Sequence, residues 1–293
     1  MQAKRRSMLY VPGSDPKKCL KALMFNSDSV IFDLEDAVAP DQKEFARQTV
    51  CELLKAPRET GKELVVRVNQ VSDSVGMEDL KAILPCKPDT VILPKASARE
   101  VTIADTFVTI FREDREIGLI PLIETMHGLV TLREILNSSD KITGVQFGAE
   151  DLTKEMGIRR TAQGKELSYA RSELTFIARS FGVDAIDTPY VDYRDVEGFE
   201  QDLAYIRSIG MTAKTAIHPS QIEKINQAFT FSERDIAEAK EIVEAFEKAV
   251  QQGLGVISIN GKMVDAPVAK RAADVLASAG LNEVKDFEYR NHK

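Results

Sequence analysis

GLIPLIETMHGLVTLREILNSSDKITGVQFGAED, residues 118–151, contains two short apolar runs that each end near an acidic residue. Glu124 follows the first run and Asp151 follows the second, 27 residues later. That spacing accommodates one strand, one helix and the next strand, so the stretch predicts a unit of a parallel α/β sheet. In a parallel barrel both carboxylates would emerge at the C-terminal rim of the strands, where the loops converge on one mouth.

The same alternation of apolar runs and helical patterns extends outward from this stretch over most of the chain. Eight runs predict strands, at residues 7–12, 29–35, 63–69, 90–95, 118–124, 142–148, 184–190 and 213–219. Helical patterns lie between them, for example at residues 41–55 and 168–181. Eight such units predict a (β/α)8 TIM barrel that occupies residues 1–230.

Residues 231–293 follow the eighth unit and predict a helical and β-hairpin extension. A long helical pattern runs from Glu233 to Gln252, and VISI then predicts a strand that returns through an Asn260–Gly261 turn. Asp265 is the predicted N-cap of a last helix, with Pro267 in its first turn. A closed barrel has no vacancy for this segment, so we expect it to pack outside the barrel, on its own subunit or on a neighbour.

Composition narrows the classes of function. A formal net charge of -7 argues against a general nucleic-acid binder, and no apolar stretch is long enough for a signal segment or a membrane span. Three cysteines without metal-ligand spacing predict a protein of the reducing cytoplasm. Neither a GxxxxGK[ST] loop nor a GxGxxG after a strand is present, so nucleotide hydrolysis and dinucleotide binding have no support in the sequence.

Glu124 and Asp151 together form a good half-site for Mg²⁺. Carboxylate oxygens are its preferred protein ligands, and two of them leave coordination positions open for water and substrate. Taken separately, each acid also has an ordinary explanation, since Asp151 could cap a helix that begins near Leu152 and Glu124 could be a solvated acid at a strand end.

Further polar side chains stand at the predicted ends of strands two to four. Asp33, Glu35 and Asp36 either contribute to the mouth or cap the loop that follows their strand. Arg67 either pairs with one of these acids or binds a substrate carboxylate through its two parallel N–H groups. Lys95 lies among acids that stabilise its ammonium form, which favours a charge partner or a phosphate contact over an amine nucleophile.

Residues 152–167 are the longest irregular segment that the sequence predicts. Their charged, glycine-containing composition is typical of a lid over the mouth, or of a surface excursion. Arg159 and Arg160, with Arg5 and Arg6, could hold the phosphates of a carrier such as coenzyme A, although a solvated run of charge explains them better.

Seven motifs in order along the chain resemble the citrate lyase β subunit and its acyl-CoA lyase relatives in the HpcH/HpaI aldolase family. They are RRSMLYVPG, VIFDLEDAV, VVRVN, LPK, IPLIET, GAEDL and GVISINGKMVDAPV. The resemblance covers essentially the whole chain from Arg5 onward. It implies a TIM barrel of the phosphoenolpyruvate/pyruvate type and a homo-oligomer, a trimer or a multiple of one.

The resemblance also implies a role for each candidate residue. Mg²⁺ would be held by Glu124 and Asp151, with Glu124 also binding the substrate, and Arg67 would be a catalytic residue that binds the substrate carboxylate. Glu35 and Asp36 would support metal-bound waters. Asp265 would be the catalytic acid or base, delivered to the mouth of a neighbouring subunit by the C-terminal extension, although its N-cap position explains it equally well from sequence alone.

The expected reaction is the retro-Claisen cleavage of a 3-hydroxy-acyl thioester. The resemblance favours citryl-ACP as substrate, giving oxaloacetate and acetyl-ACP, with the α and γ subunits of citrate lyase as possible partners. A stand-alone citramalyl-CoA or malyl-CoA lyase would share the same motifs. A subunit that binds an acyl carrier protein or acyl-CoA without turnover is the alternative from another class of function.

Overall fold

The computed structural model describes residues 5–56, 61–111 and 116–281. The chain divides into two compact units, Met1–Phe229 and Thr230–Lys293. Residues 282–293, the last part of the predicted extension, lie outside the described residues. Within the described part of the chain, no helix is long and apolar enough to cross a membrane.

Strands and helices alternate through the first unit as the sequence predicts. The strands are β1 (Ser7–Pro12), β2 (Ser29–Asp33), β3 (Glu63–Arg67), β4 (Thr90–Leu93), β5 (Gly118–Ile123), β6 (Gly144–Phe147), β7 (Asp184–Asp187) and β8 (Ala213–Ala216). The helices are α1 (Pro16–Met24), α2 (Lys43–Lys55), α3 (Ser74–Ile83), α4 (Ala98–Phe111), α5 (Met126–Val130), α6 (Leu132–Leu136), α7 (Ala149–Glu155), α8 (Ser168–Ser180), α9 (Val196–Ser208) and α10 (Ile222–Ala228).

The eight strands close into one barrel in sequence order, with β1 paired to β8 and every neighbouring pair parallel. The predicted (β/α)8 TIM barrel is therefore confirmed. Because side chains alternate across a strand, each strand supplies one set to the barrel interior and another to the helix layer. The interior cluster is formed by Met8, Ile31, Val65, Ile92, Ile120, Leu122, Ile186 and Ala213.

A buried ion-pair network lies at the N-terminal end of the strands. Arg5, which is 6% exposed, donates to Glu63 at 2.6–3.0 Å and to Asp184 at 3.2 Å. Ser29 and Thr90 donate to the same Glu63 carboxylate. Arg5 is therefore neither a solvated charge nor a phosphate ligand, and the network stabilises the end of the barrel opposite the mouth, where TIM barrels carry stability rather than catalysis.

The second unit consists of α11 (Glu233–Gln251), β9 (Val256–Ile259), β10 (Lys262–Asp265) and α12 (Ala266–Ser278). Ser232 caps α11 in a capping box, and β9 pairs antiparallel with β10. The hairpin turns at Asn260 and Gly261, whose φ angles of 50° and 76° belong to a type I′ turn. The predicted hairpin and helices are thus present, and Val243, Leu276 and neighbouring apolar residues of α11 and α12 pack together.

Candidate active site

Glu124 directly follows β5, at the C-terminal rim of the barrel, and is only 6% exposed. Its Oε1 accepts a hydrogen bond of 2.8 Å from the backbone N–H of Lys95, which follows β4. Gly148 lies against the other side of the carboxylate, since a Cβ added there would stand 2.5 Å from Glu124 Cβ and 3.0 Å from Oε2. The carboxylate is therefore held in place by its immediate surroundings.

Burial raises the pKa of Glu124 to about 7, and the negative charge of Asp151 contributes in the same direction. The Lys95 N–H and the charges of Arg67 and Lys95 oppose that rise. Burial and a like charge both disfavour the ionised carboxylate. A cation bound between the two acids would relieve both effects.

Asp151 lies in the first turn of α7, which begins at Ala149 after Gly148 as N-cap. The helix therefore starts earlier than Leu152, and the prediction that Asp151 caps it is wrong. Its Oδ2 lies 4.0 Å from Lys95 Nζ. Lys95 thus contacts both acids, one through its backbone and one through its ammonium.

Arg67 ends β3, and its guanidinium contacts two acids at the C-terminal end of β2, Asp33 within the strand and Glu35 after it. Its Nε and Nη2 each donate to Asp33 at 2.7 Å, and its Nη1 lies 2.9 Å from Glu35 Oε2. The ring of Tyr10, inside the barrel, lies 5.0 Å from the guanidinium carbon. Of the two predictions for Arg67, pairing with a neighbouring acid is therefore observed, and binding of a substrate carboxylate stays a prediction.

Glu35 and Asp36 differ sharply in environment although they are adjacent in sequence. Glu35 is buried, and burial raises its pKa to about 8 against the opposing charge of Arg67. Its Oε2 has no hydrogen-bond partner among the residues that the structure describes, despite its closeness to Arg67. The Asp36 side chain is 71% exposed and lies 3.8 Å from Arg67.

The loop that carries Glu35 is held by Lys43 of α2. Lys43 Nζ donates to the carbonyl oxygens of Leu34 and Glu35 at 2.6 and 2.7 Å, and to Asn69 at 2.8 Å. Asp33 accepts from the backbone N–H groups of Glu35 and Ala37. Asp33 therefore orients Arg67 and caps the turn that follows β2, as one of its two predictions stated, and its contribution to the mouth stays a prediction.

Tyr10 and Gln146 were not among the sequence-predicted site residues. They hydrogen-bond to each other from β1 and β6, and burial raises the pKa of the Tyr10 phenol well above its usual range. Their positions could have been found by alternation, since Tyr10 is two residues after the inward-facing Met8. The alternation pattern, however, does not predict which inward-facing polar side chains hydrogen-bond to each other.

The irregular segment predicted at residues 152–167 is shorter than expected, because α7 continues to Glu155, and its role as a lid stays a prediction. Arg160 within it pairs with Glu150 and donates to the carbonyl oxygen of Pro189 at 2.7 Å. Thr161 and Glu166 hydrogen-bond to each other across the same segment. These contacts hold the segment against the rim near β6 and β7, and Arg160 has protein partners rather than the role of a solvated charge.

Asp265 lies in the second unit, at the N-cap of α12, where its Oδ1 accepts from the backbone N–H of Val268 at 3.1 Å. The predicted cap is therefore present. Delivery of Asp265 to the mouth of a neighbouring subunit stays a prediction.

Two carboxylates at the rim match the way proteins bind Mg²⁺. Among residues 5–56, 61–111 and 116–281, no group of three or more His, Cys, Asp or Glu side chains is arranged to hold a metal ion. Mg²⁺ is commonly bound by one or two carboxylates, with water and substrate completing its octahedron. The buried Glu124, with its raised pKa and its neighbour Asp151, therefore fits this ion.

Comparison with known proteins places these features in a wider context. Residues 6–219 match the family described as HpcH/HpaI aldolase/citrate lyase. Citrate lyase subunit beta of Leuconostoc mesenteroides subsp. cremoris is 37% identical over 290 residues, which cover 97% of this chain and 96% of that protein. Human mitochondrial citramalyl-CoA lyase is 33% identical over 290 residues, covering 94% of this chain and 85% of the human protein.

A solved structure extends the likeness to the fold. The protein CitE from Mycobacterium tuberculosis, in complex with magnesium, acetoacetate and coenzyme A, is 31% identical, with a TM-score of 0.78. The match covers 96% of this chain and all of that one.

Proposed function

This chain belongs to the HpcH/HpaI aldolase/citrate lyase family, named for two carbon–carbon lyase activities, and on that premise we propose that it cleaves a 3-hydroxy-acyl thioester in a Mg²⁺-dependent reaction. The observation that carries the proposal is the pair of rim carboxylates, Glu124 and Asp151, which Lys95 contacts together. The Mycobacterium relative binds magnesium, and the donor set here suits the same ion.

Glu124 and Asp151 would hold Mg²⁺, and Glu124 also borders the substrate. When bound, the ion would lower the pKa of the substrate hydroxyl and polarise the carbonyl that forms on cleavage. Arg67 would bind the substrate carboxylate through N–H groups that Asp33 leaves free, since five donors are available on a guanidinium. Glu35 and Asp36 would orient water at the site.

The cleavage step balances as a retro-Claisen reaction. The hydroxyl would lose its proton to water at the site, its oxygen would form a carbonyl, and the carbon–carbon bonding pair would pass to the thioester as an enolate. Asp265 would then donate a proton to that enolate carbon, or remove it in the condensation direction. The products are a 2-oxo acid and a shorter acyl thioester.

Citryl-ACP is the substrate we propose first, because the Leuconostoc citrate lyase subunit matches over nearly the whole chain. The acyl carrier protein and the other citrate lyase subunits, α and γ, would then be partners. Citramalyl-CoA or malyl-CoA is the second candidate, favoured by the human lyase and by the coenzyme A bound to the Mycobacterium relative. We further propose a cytoplasmic homo-oligomer, a trimer, in which Asp265 acts across a subunit boundary.

A cleavage assay with citryl, citramalyl and malyl thioesters, each on coenzyme A and on acyl carrier protein, tests the proposal. One thioester should be cleaved in the presence of Mg²⁺ and not after chelation by EDTA. The variant Asp265→Asn should lose most turnover while retaining Mg²⁺ binding. Absence of cleavage with every thioester would refute the lyase proposal in favour of a subunit that only binds a carrier.

A further inference from the structure

Lys95 adopts a backbone conformation that lysine rarely occupies. Its φ angle is 46°, in the left-handed region that glycine enters freely and other residues enter only with strain. Strained residues of this kind concentrate at functional sites, where the surrounding structure holds them. Lys95 lies two residues after the end of β4, at the mouth, so its conformation calls for an explanation from the site.

The left-handed turn has a direct geometric consequence. The Lys95 N–H at the start of this turn donates to Glu124 Oε1 at 2.8 Å. The following residue, Ala96, donates its N–H to the carbonyl oxygen of Leu122 at 3.2 Å, which ties the same turn to β5. The turn thus brings the end of β4 against the end of β5 and fixes one oxygen of the carboxylate.

A glycine would adopt this turn without strain, so the side chain of Lys95 must have its own use. Its ammonium lies 4.0 Å from Asp151 Oδ2, in a partly exposed position that leaves it able to move. The backbone of Lys95 therefore holds one carboxylate of the pair while its side chain neutralises the other. A single strained residue connects both acids.

We infer that Lys95 is a positioning residue for the metal site, and that its ammonium is an internal counter-cation which Mg²⁺ displaces. The inference rests on the proposed function, because it takes Glu124 and Asp151 as the metal ligands. Two separable effects follow. The backbone N–H preorganises Glu124 for the ion, whereas the ammonium competes with the ion for Asp151.

The role of the Lys95 ammonium is tested by titrating Mg²⁺ into the metal-free protein and measuring its affinity by calorimetry. Lys95→Met removes the ammonium and keeps the length of the side chain, and Lys95→Gly removes it while relaxing the turn. Both should bind Mg²⁺ more tightly by on the order of fivefold, the factor that Coulomb's law gives for two unit charges at this separation in water. Unchanged Mg²⁺ affinity in both variants would overturn the proposed role of the Lys95 ammonium as a counter-cation.

The backbone is tested with Lys95→Val, since a β-branched residue is strongly disfavoured in the left-handed region. If the turn opens, the N–H leaves Glu124, and Mg²⁺ should bind about tenfold or more weakly than in Lys95→Met, as expected when an outer contact of a metal ligand is lost. Lys87 is a matched control, because it has a φ of 60° and precedes β4, at the opposite end of the barrel. Lys87→Val should leave Mg²⁺ affinity unchanged.

Equal affinity of Lys95→Val and Lys95→Met would overturn the role of the backbone. Glu124→Gln and Asp151→Asn, titrated in parallel, separate failure of the inference from failure of the proposed metal site. If both lose Mg²⁺ binding and the Lys95 variants do not differ from wild type, only the inference is wrong. If either carboxylate variant binds with wild-type affinity, the metal assignment itself is wrong for that residue.

Discussion

Replacing Gly148 by alanine should damage the site more than its small volume suggests. The added Cβ would stand 2.5 Å from Glu124 Cβ and 3.2 Å from a Leu122 methyl carbon, whereas carbon atoms in contact lie at about 3.5–4.0 Å. Both Cβ atoms are fixed to the backbone, so no rotation of a flexible chain end relieves the clash. Either the end of β5 or the start of α7 must move, by roughly 1 Å.

That displacement falls on both proposed metal ligands, because Glu124 follows β5 and Asp151 lies in the first turn of α7. A misplacement of about 1 Å at a reacting centre costs on the order of a hundredfold in rate. Overpacking of this kind typically lowers the free energy of unfolding by about 1–3 kcal/mol, which is less than the stability of most domains. We therefore expect Gly148→Ala to fold, with kcat/KM reduced about a hundredfold and Mg²⁺ affinity reduced.

The assay is steady-state cleavage of the active thioester, together with Mg²⁺ titration and thermal unfolding. Gly61→Ala is the matched control, because a Cβ there would have no heavy atom of the described residues within 4 Å and the φ of Gly61 is not in the left-handed region. It should behave as wild type in all three measurements. If Gly148→Ala retained cleavage and Mg²⁺ affinity within twofold of wild type, the close packing of Glu124 on Gly148 would not govern the site.

Three further predictions follow from other parts of the barrel. Burial raises the pKa of Glu124 to about 7, above its ordinary 4.5, so the folded protein binds this proton more tightly than the unfolded chain does. The metal-free protein should therefore lose stability as pH rises from 4.5 to about 7, and Mg²⁺ should bind more tightly above pH 7 than below it. Thermal unfolding in EDTA and Mg²⁺ titration across this pH range measure the two effects, and a flat pH profile in both would contradict the raised pKa of Glu124. Tyr10→Leu removes the ring that faces Arg67 and should raise KM by between about twofold and thirtyfold, the range of a cation–π contact. Tyr10→Phe keeps the ring, so its KM should stay close to wild type, and equal KM values for the two variants would contradict the contact. Arg5→Met leaves Glu63 buried without its arginine partner and should lower the free energy of unfolding by about 3–5 kcal/mol, measured by denaturant titration. Mg²⁺ affinity should not change, because Arg5 lies at the end of the barrel opposite the mouth.

The barrel was predictable because its signal is local and repeated. Apolar runs such as those at residues 29–35 and 90–95 recur at intervals that leave room for one helix each, and all eight became strands. The ends were less accurate, since β4 stops at Leu93 and β6 starts at Gly144. Ends depend on hydrogen bonds to the neighbouring strand, which a single run does not encode.

The sequence predicted which residues lie at the rim of the barrel. It did not predict which of those residues contact one another. The alternatives for Arg67 depended on whether an acid of the neighbouring strand lay within reach, and Asp33 proved to be directly opposite it in the β2–β3 register. The sequence could not decide whether Asp151 is a helix cap or a metal ligand, because the structure is needed to show that α7 begins after Gly148. The conformation of Lys95 left no trace in the sequence, since a lysine after a proline predicts no left-handed turn.

By itself the sequence determined the order of strands and helices, the closure expected of eight parallel units, and the rim positions of Glu124 and Asp151. These follow from periodicity and spacing, which are properties of contiguous residues. Only the tertiary structure decided that Glu35 is buried beside an exposed Asp36, that Tyr10 lies against Arg67, and that one strained lysine contacts both acids. Those features are set by packing and by contacts between strands that are distant in the chain, and such contacts exist only once the barrel has closed.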